Sequence, residues 1–143
     1  MINRLAIVYW SGTGNTEAMA RQIQEGARDA GAQADLFTAP EFSADLAGTY
    51  TAFAFGCAAM GAEELEEDEF APMFSSVKPA LGGKPVALFG SYGWGDGEWM
   101  RTWQQDCLDA GLHLAAEPVI ACEAPDDEAC ADCRKLGAVL AEA

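Results

Sequence analysis

The stretch at residues 5–16, L-A-I-V-Y-W-S-G-T-G-N-T, joins an apolar run to a loop of small polar residues. The apolar residues 5–9 are typical of a short strand that is buried on both faces. A helical pattern opens at Glu17, and apolar residues recur about one turn apart at Met19, Ile23, Ala27 and Ala30. The sequence therefore predicts a strand, a tight loop and a helix in immediate succession.

The predicted loop at residues 11–16 lies at the N-terminus of the predicted helix. Free backbone N–H groups and the positive end of the helix dipole favour an anion at such a position. Four side chains in the loop add hydrogen-bond donors, namely Ser11, Thr13, Asn15 and Thr16. Because the loop contains no Lys or Arg, neutral donors alone would hold a phosphate there.

Two common phosphate-binding loops do not match this stretch. The loop of nucleoside triphosphatases requires a Lys and then a Ser or Thr after its second glycine, whereas Gly14 is followed by Asn15. The dinucleotide fingerprint requires a third glycine, and Glu17 stands at that place. A single phosphate monoester is the ligand that remains.

The composition restricts the partners of the chain. The formal net charge of -15 over 143 residues argues against nucleic acid and anionic membrane, which both need basic surface. No apolar run approaches the length of about 18 residues that a membrane span requires, and the first residues lack a signal-peptide pattern. We therefore expect a soluble cytoplasmic protein, with basic surfaces on its protein partners.

The five cysteines, an odd number, do not suggest a disulfide framework. Cys130 and Cys133 form a C-A-D-C pair, but His113 is the single histidine in the sequence, so a zinc site lacks ligands. The favoured interpretation is that both cysteines face the core from the last helix, and a thiol-redox or metal role stays open.

Short apolar runs alternate with helical patterns along the rest of the chain. Strands are predicted at residues 5–9, 34–37, 52–56, 85–89 and 118–122, and helices at 17–30, 42–46, 70–81, 99–110 and 127–141. This alternation predicts one α/β domain over residues 1–143, with a doubly wound five-stranded parallel sheet and helices on both faces. Ligands bind such a sheet beyond the carboxyl ends of its strands.

Two further loops follow predicted strands and should lie at the same edge as the phosphate loop. Residues 57–69, C-A-A-M-G-A-E-E-L-E-E-D-E, contain six carboxylates. Residues 90–97, G-S-Y-G-W-G-D-G, place Tyr92 and Trp94 among four glycines, which lets the rings lie against a flat ligand. The three loops together indicate a phosphate site beside an aromatic slot.

The chain resembles short-chain flavodoxins of the clostridial kind over essentially its whole length. The motifs V-Y-W-S-G-T-G-N-T-E, A-M-G-A-E-x-L-E-E-x-E-F and V-A-L-F-G-S-Y-G-W-G-D-G-E-W-M-R have the order and spacing of that family. The resemblance implies a flavodoxin-like sheet of order 2-1-3-4-5, a fold for which flavodoxin is itself the standard example. It also implies non-covalent FMN, with Met60 on one face of the ring, Trp94 on the other and Glu63 on the ring N3–H.

The cofactor-binding residues expected from the three loops and this resemblance fall into three groups. They are Ser11, Gly12, Thr13, Gly14, Asn15 and Thr16 for the phosphate; Cys57, Ala58, Ala59, Met60, Gly61, Ala62 and Glu63 in the second loop; and Ser91, Tyr92, Gly93, Trp94, Gly95, Asp96 and Gly97 in the third. No catalytic residue and no metal ligand is expected.

The charge of these loops predicts a low-potential one-electron carrier. FMN reduced by two electrons tends to become an anion, and nearby carboxylates without a compensating Lys or Arg should lower the potential of the second step by some tens of millivolts. The carrier would then cycle mainly between semiquinone and hydroquinone and would turn over no substrate of its own.

Two other functions share the cofactor site and stay open, namely an FMN-dependent reductase and a flavin-bearing activator of a partner enzyme. For the carrier, we expect a monomer whose acidic rim, formed by the carboxylates within residues 63–69, steers basic redox partners. On this hypothesis, Glu66→Lys combined with Glu67→Lys slows electron transfer and barely changes FMN affinity.

Overall fold

The structure is a computed structural model and describes residues 3–12, 14–60, 65–93 and 97–143. The strands are β1 (Arg4–Trp10), β2 (Gln33–Thr38), β3 (Ala52–Cys57), β4 (Pro85–Tyr92), β5 (His113–Leu114) and β6 (Val119–Cys122). The α-helices are α1 (Asn15–Asp29), α2 (Ala44–Ala47), α3 (Phe70–Val77), α4 (Glu98–Asp109) and α5 (Asp127–Glu142). Two short 3-10 turns lie at Ala39–Glu41 and Lys78–Ala80.

The strands form one parallel sheet in the order β2-β1-β3-β4-β5, and β6 also pairs with β4. The predicted order 2-1-3-4-5 is therefore confirmed. The reversal of strand order falls between β1 and β3, where connections run to opposite sides of the sheet. The carboxyl ends of β1 and β3 therefore border a crevice that can hold a ligand.

The fifth position of the sheet is divided between two short strands, which corrects the prediction of one strand at residues 118–122. β5 pairs with Pro85 and Val86, and β6 pairs with the stretch from Phe89 to Tyr92. Pro118 lies between them and has no N–H to donate to a ladder, so the pairing is interrupted there.

Apolar side chains cover both faces of the sheet, as the alternation of strands and helices predicts. Ala6 and Val8 of β1 point to the face covered by α3 and α4, with Phe53, Phe55 and Trp103 in the same cluster. Leu5 and Ile7 point to the face covered by α1 and α5, with Ile23 and Leu140. Since β1 is buried on both faces, its carboxyl end is fixed firmly beneath the phosphate loop.

Several predicted helix boundaries differ from the structure. α3 ends at Val77, and the chain continues as the Lys78–Ala80 turn, because Pro79 has no N–H with which to extend the hydrogen-bond ladder of an α-helix. Of the helix predicted at 42–46, only residues 44–46 are helical, within the one-turn helix α2, and the 3-10 turn at Ala39–Glu41 precedes the predicted range.

Two predicted core positions lie nearer to the surface. Ala30 is exposed at the end of α1. Cys130 is half-buried, whereas Cys133 is fully buried with Leu140. The described residues contain no group of three or more side chains that could ligate a metal ion.

Candidate cofactor site

Three loops meet at the carboxyl edge of the sheet because β1, β3 and β4 are neighbours and run in one direction. They contain the described site residues Ser11, Gly12, Gly14, Asn15, Thr16, Cys57, Ala58, Ala59, Met60, Ser91, Tyr92, Gly93 and Gly97. The other predicted site residues, namely Thr13, Gly61, Ala62, Glu63, Trp94, Gly95 and Asp96, lie outside the described residues.

The first loop leaves the N-terminus of α1 without a side-chain cap. Gly14 is the N-cap residue, with a φ of 92° that favours glycine, and no side chain of its own is available for capping. The Ser11 Oγ accepts a hydrogen bond from the Gly14 N–H at 2.9 Å, so this hydroxyl shapes the loop. The first-turn N–H groups of α1 therefore suit an anion such as a phosphate.

Arg21 is the first basic residue after the loop, and it is paired on the surface of α1. The Arg21 guanidinium contacts the Glu17 carboxylate at 2.8 Å, one helical turn away. An i,i+4 pair of this kind neutralises charge locally and adds little attraction at the loop. The neutral character predicted for the phosphate site is consistent with this geometry.

A buried pair of hydroxyls connects the first loop to the third. The Thr16 Oγ1 lies 2.9 Å from the Ser91 Oγ, and both residues are almost fully buried. The Ser91 carbonyl in turn accepts a hydrogen bond from the Ala59 N–H at 2.9 Å. Either hydroxyl of this pair can be the donor, so the Thr16 hydroxyl as a donor to phosphate stays a prediction.

The second loop starts from a buried cysteine. Cys57 is fully buried, and burial raises the pKa of its thiol to about 12. Its Sγ accepts the Glu66 N–H at 3.4 Å, and its carbonyl accepts the Trp99 Nε1–H at 3.3 Å. Cys57 therefore supports the loop as a neutral thiol beneath it.

Glycine is required where the third loop approaches the second. A Cβ built on Gly90 would lie 2.2 Å from the Cys57 carbonyl oxygen, a backbone atom that cannot move aside. Tyr92, two residues on, is half-buried and packs on Trp99 with ring centroids 5.5 Å apart. The close approach of the two strand ends thus sets the width of the site.

A cavity of about 320 Å³ joins these loops. It is lined by Asn15, Ala58, Ala59, Ser91, Tyr92, Gly93 and Glu123. The first six belong to the predicted site, and they come from all three loops. A larger hollow of about 400 Å³ lies between β6 and α5 and contains none of the predicted site residues.

Glu123 is the lining residue that sequence reasoning missed. It follows directly after β6, at the same sheet edge as the three predicted loops. The carboxyl end of the predicted fifth strand was a sufficient signal, because parallel strands bring all their carboxyl ends to one edge.

Glu66 is buried, unlike the acidic residues that follow it in the acidic run. Glu67, Asp68 and Glu69 are exposed, whereas Glu66 is only 6% exposed. The Glu66 carboxylate accepts the N–H groups of Asp68, Glu69 and Phe70 at 2.8, 2.7 and 2.8 Å. Assigning Glu66 to the acidic rim was wrong, because its side chain turns inward to hold the start of α3.

These contacts fix the charge state of Glu66. Partial desolvation raises the pKa of its carboxyl, but the three N–H donors from Phe70, Glu69 and Asp68 together lower it below its usual range. The Glu66 carboxylate is therefore ionised at neutral pH and accepts the free N–H groups at the N-terminal end of α3, where the helix dipole also favours a negative charge.

The fold and the site define a class of protein. An uncapped helix N-terminus with neutral donors lies at the switch point of a doubly wound sheet, beside a cavity between small and aromatic residues. These features fit one phosphate monoester attached to a flat ring, which is the chemistry of a flavin mononucleotide-binding protein.

Comparison with known proteins gives the family. The flavodoxin family model matches residues 7–137, and the chain belongs to the flavodoxin family. It is 43% identical to a flavodoxin of Megasphaera elsdenii, over 96% of this chain and 98% of that protein. It is 42% identical to a flavodoxin of Clostridium beijerinckii, over 96% of this chain and 99% of that protein.

A solved structure agrees with these relatives. The solution structure of two-electron reduced Megasphaera elsdenii flavodoxin superposes with a TM-score of 0.90, at 43% identity, and covers 97% of this chain and 99% of that one. The protein is therefore an FMN-binding electron carrier of the flavodoxin family and not a substrate-turnover enzyme.

Proposed function

We propose that this flavodoxin carries single electrons at low potential, with FMN held non-covalently across the carboxyl ends of β1, β3 and β4. The observation that carries the proposal is the cavity shared by Asn15, Ala58, Ala59 and the 91–93 segment, next to the uncapped start of α1. When bound, FMN supplies the chemistry of accepting and releasing one electron at a time.

The residues of the chain bind and orient this group in three places. The phosphate belongs at residues 11–16, where the first-turn N–H groups of α1 point out of the helix. The ring belongs between the loops at residues 57–63 and 91–97, which include the aromatic Tyr92 and Trp94. The Thr16–Ser91 pair, through its 2.9 Å contact, holds these two parts of the site at a fixed spacing.

Electrostatics supports the low potential. The three loops contain no Lys or Arg, and Glu67, Asp68, Glu69 and Glu123 lie at the same edge. A unit charge about 12 Å away in a water-like dielectric costs roughly 0.3 kcal/mol, so several carboxylates cost about 1 kcal/mol. This lowers the potential of the second electron by some tens of millivolts.

Anaerobic reductive titration of the purified protein, followed by its visible spectrum, tests the proposed function. We expect reduction in two separated steps of one electron each. A single two-electron step, or steady turnover of a quinone with NADH, would favour the FMN-dependent reductase instead.

FMN is expected to bind roughly a hundredfold more tightly than riboflavin, because the phosphate accepts several charge-assisted N–H bonds. Its affinity should depend only mildly on salt, since the phosphate loop has no cationic side chain. Fluorescence titration of the apoprotein with both flavins measures this difference. Equal affinities for the two flavins would remove residues 11–16 from the site.

The acidic rim, now defined as Glu67, Asp68 and Glu69, is proposed as the docking surface for basic redox partners. The rate of electron transfer should fall as ionic strength rises. Glu67→Lys with Asp68→Lys should slow the transfer severalfold at low salt and leave FMN affinity nearly unchanged.

The control for this docking experiment has the same change of net charge at a distant place. Glu25→Lys with Asp29→Lys alters exposed residues in the second half of α1, away from the sheet edge that holds the loops. Equal slowing by both pairs would show that net charge alone acts, and that the rim is not the docking surface.

The structure has no described helix that is long and apolar enough to cross a membrane. The monomeric state and the cytoplasmic location stay predictions from the sequence. Size-exclusion chromatography with light scattering tests the first of them.

A further inference from the structure

Another cavity, of about 270 Å³, lies at the same edge of the sheet, where β1 and β2 end. Its lining includes Tyr9, Trp10, Ser11 and Thr38, together with the carboxylates of Glu17 and Glu69. Among the described residues, it shares Ser11 with the predicted cofactor site and nothing with the lining of the 320 Å³ cavity proposed for FMN. The proposed function gives this cavity no role.

The buried part of the lining is the phenol of Tyr9. Tyr9 is only 8% exposed, and no group of the described residues forms a hydrogen bond with its hydroxyl. Burial, and then the negative charge of Glu17, raises the pKa of this phenol above its usual range, so it stays protonated at neutral pH. Because buried polar groups are normally paired, the free hydroxyl indicates a polar ligand.

Two carboxylates of the lining have oxygen atoms that are free to accept. The Glu69 Oε1 accepts the Trp10 indole N–H at 3.1 Å. The Glu17 Oε2 accepts two N–H groups of Arg21, at 2.8 and 3.2 Å. The Glu17 Oε1 and the Glu69 Oε2 accept no hydrogen bond from the described residues. Since Arg21 offsets the charge of Glu17, Glu69 makes the lining negative, and these acceptors suit a cation with several N–H donors.

The lining also indicates which kind of cation fits. The described residues contain no group of three or more side chains that could ligate a metal ion. Tyr9 and Trp10 place aromatic rings beside the carboxylates, and a guanidinium both stacks on such rings and donates through a planar fork. The mouth is exposed at Thr38, Pro40 and Glu69. A long side chain that enters from the surface, with its charge at the tip, matches this arrangement.

We propose that this cavity binds the guanidinium group of one arginine of the redox partner, and this inference rests on the proposed function. Glu69 belongs both to the acidic rim and to the lining of the cavity, so a partner that docks on the rim also covers the cavity. Ser11 belongs to the phosphate loop as well, and that loop has no cationic side chain of its own. The rim thus attracts the partner, and the cavity fixes its orientation.

The probe for this test is N-acetyl-arginine amide, which has no charged termini and so presents its side chain as a protein does. It is titrated into the FMN-loaded protein at low salt, and the Trp10 indole N–H is followed by proton–nitrogen NMR. N-acetyl-citrulline amide is the matched ligand, because a neutral urea group replaces the guanidinium at nearly the same shape.

Three variants are compared with the wild type. Tyr9→Phe removes the hydroxyl alone. Glu69→Gln removes the charge and keeps an acceptor for the Trp10 indole. Glu67→Gln removes the same charge from the exposed rim outside the cavity.

The arginine amide should bind saturably, and about tenfold more tightly than the citrulline amide. Glu69→Gln should weaken its binding about fivefold, and Tyr9→Phe about threefold. Glu67→Gln should weaken it less than about twofold, because solvent screens an exposed charge outside the cavity. Tyr9→Phe should unfold at no lower temperature than the wild type, since its hydroxyl bonds to no described residue, and this separates its effect from a loss of folding.

Two further ligands separate a partner's arginine from other occupants. Free arginine should bind no more tightly than the amide, because its charged α-groups are absent from a protein side chain. Tighter binding of free arginine would assign the cavity to a free amino acid and overturn the partner. Tighter binding of N-acetyl-lysine amide would overturn the choice of a guanidinium.

The remaining outcomes separate this inference from the proposed function. Equal weakening by Glu67→Gln and Glu69→Gln would mean that the charge of the rim alone attracts the probe, and would overturn the inference. Absence of a saturable shift, in a protein whose FMN is still reduced in two one-electron steps, would overturn the inference and leave the proposed function standing. Reduction in a single two-electron step would overturn both.

Discussion

Glu66→Gln is expected to lower the free energy of unfolding by about 2–4 kcal/mol, although it replaces one residue in a run of acids. The wild-type carboxylate accepts three backbone N–H groups at 2.7–2.8 Å. Glutamine has one acceptor oxygen in place of two, and its NH2 group would face N–H donors. At least one N–H at the start of α3 would then be buried without a partner.

The matched control is Glu67→Gln, which removes the same charge from the exposed neighbour. It should change the free energy of unfolding by less than about 0.5 kcal/mol, as surface substitutions usually do. Urea unfolding of the two variants and the wild type measures both effects. Equal losses in the two variants would show that the three hydrogen bonds of Glu66 add nothing beyond its charge.

The stabilisation by Glu66 should also depend on pH in a definite direction. Its pKa is lowered in the folded protein, so the contribution is present above the unfolded-state pKa of about 4.3 and is lost as the pH falls through the lower folded value. Glutamine does not titrate. The difference in stability between the wild type and Glu66→Gln should therefore narrow as the pH is lowered below about 4.

The sheet and the positions of the three loops could be predicted from the sequence because their signals are local. Apolar runs such as residues 52–56 indicate strands buried on both faces, and Gly and Ser mark the turns that follow them. The motifs of the flavodoxin family then fixed the strand order, which periodicity alone does not determine.

The inward turn of Glu66 and the positive φ of Glu123 could not be predicted in the same way, because both depend on contacts that form only in the folded chain. Nothing in L-E-E-D-E distinguishes Glu66 from Glu67 until the chain turns and brings three N–H groups to one of them. The positive φ of Glu123 depends on the register between β6 and β4, which follows the break in pairing at Pro118.

The contact between α1 and α5 gives the second large expected effect, since it holds the helix whose N-terminus forms the phosphate site. A Cβ built on Gly137 of α5 would lie 2.1 Å from the Ile23 carbonyl oxygen and 2.7 Å from the Ala27 nitrogen, both backbone atoms of α1. Gly26 makes the reciprocal approach, with its Cβ position 2.1 Å from the Arg134 carbonyl oxygen. The two helix backbones therefore touch, and a methyl group can enter only if the helices separate.

Gly137→Ala should destabilise the protein by about 1–3 kcal/mol, because the overpacking exceeds the gain of up to about 1 kcal/mol that alanine brings to a helix. It should also weaken FMN binding by displacing α1. Gly48→Ala is the control, since Gly48 has a φ of -66° and no atom within 4 Å of its Cβ position. That variant should be neutral or more stable by up to about 1 kcal/mol. Urea unfolding and FMN titration of both variants measure the contrast. If Gly137→Ala were as stable as Gly48→Ala, the close contact between α1 and α5 would be contradicted.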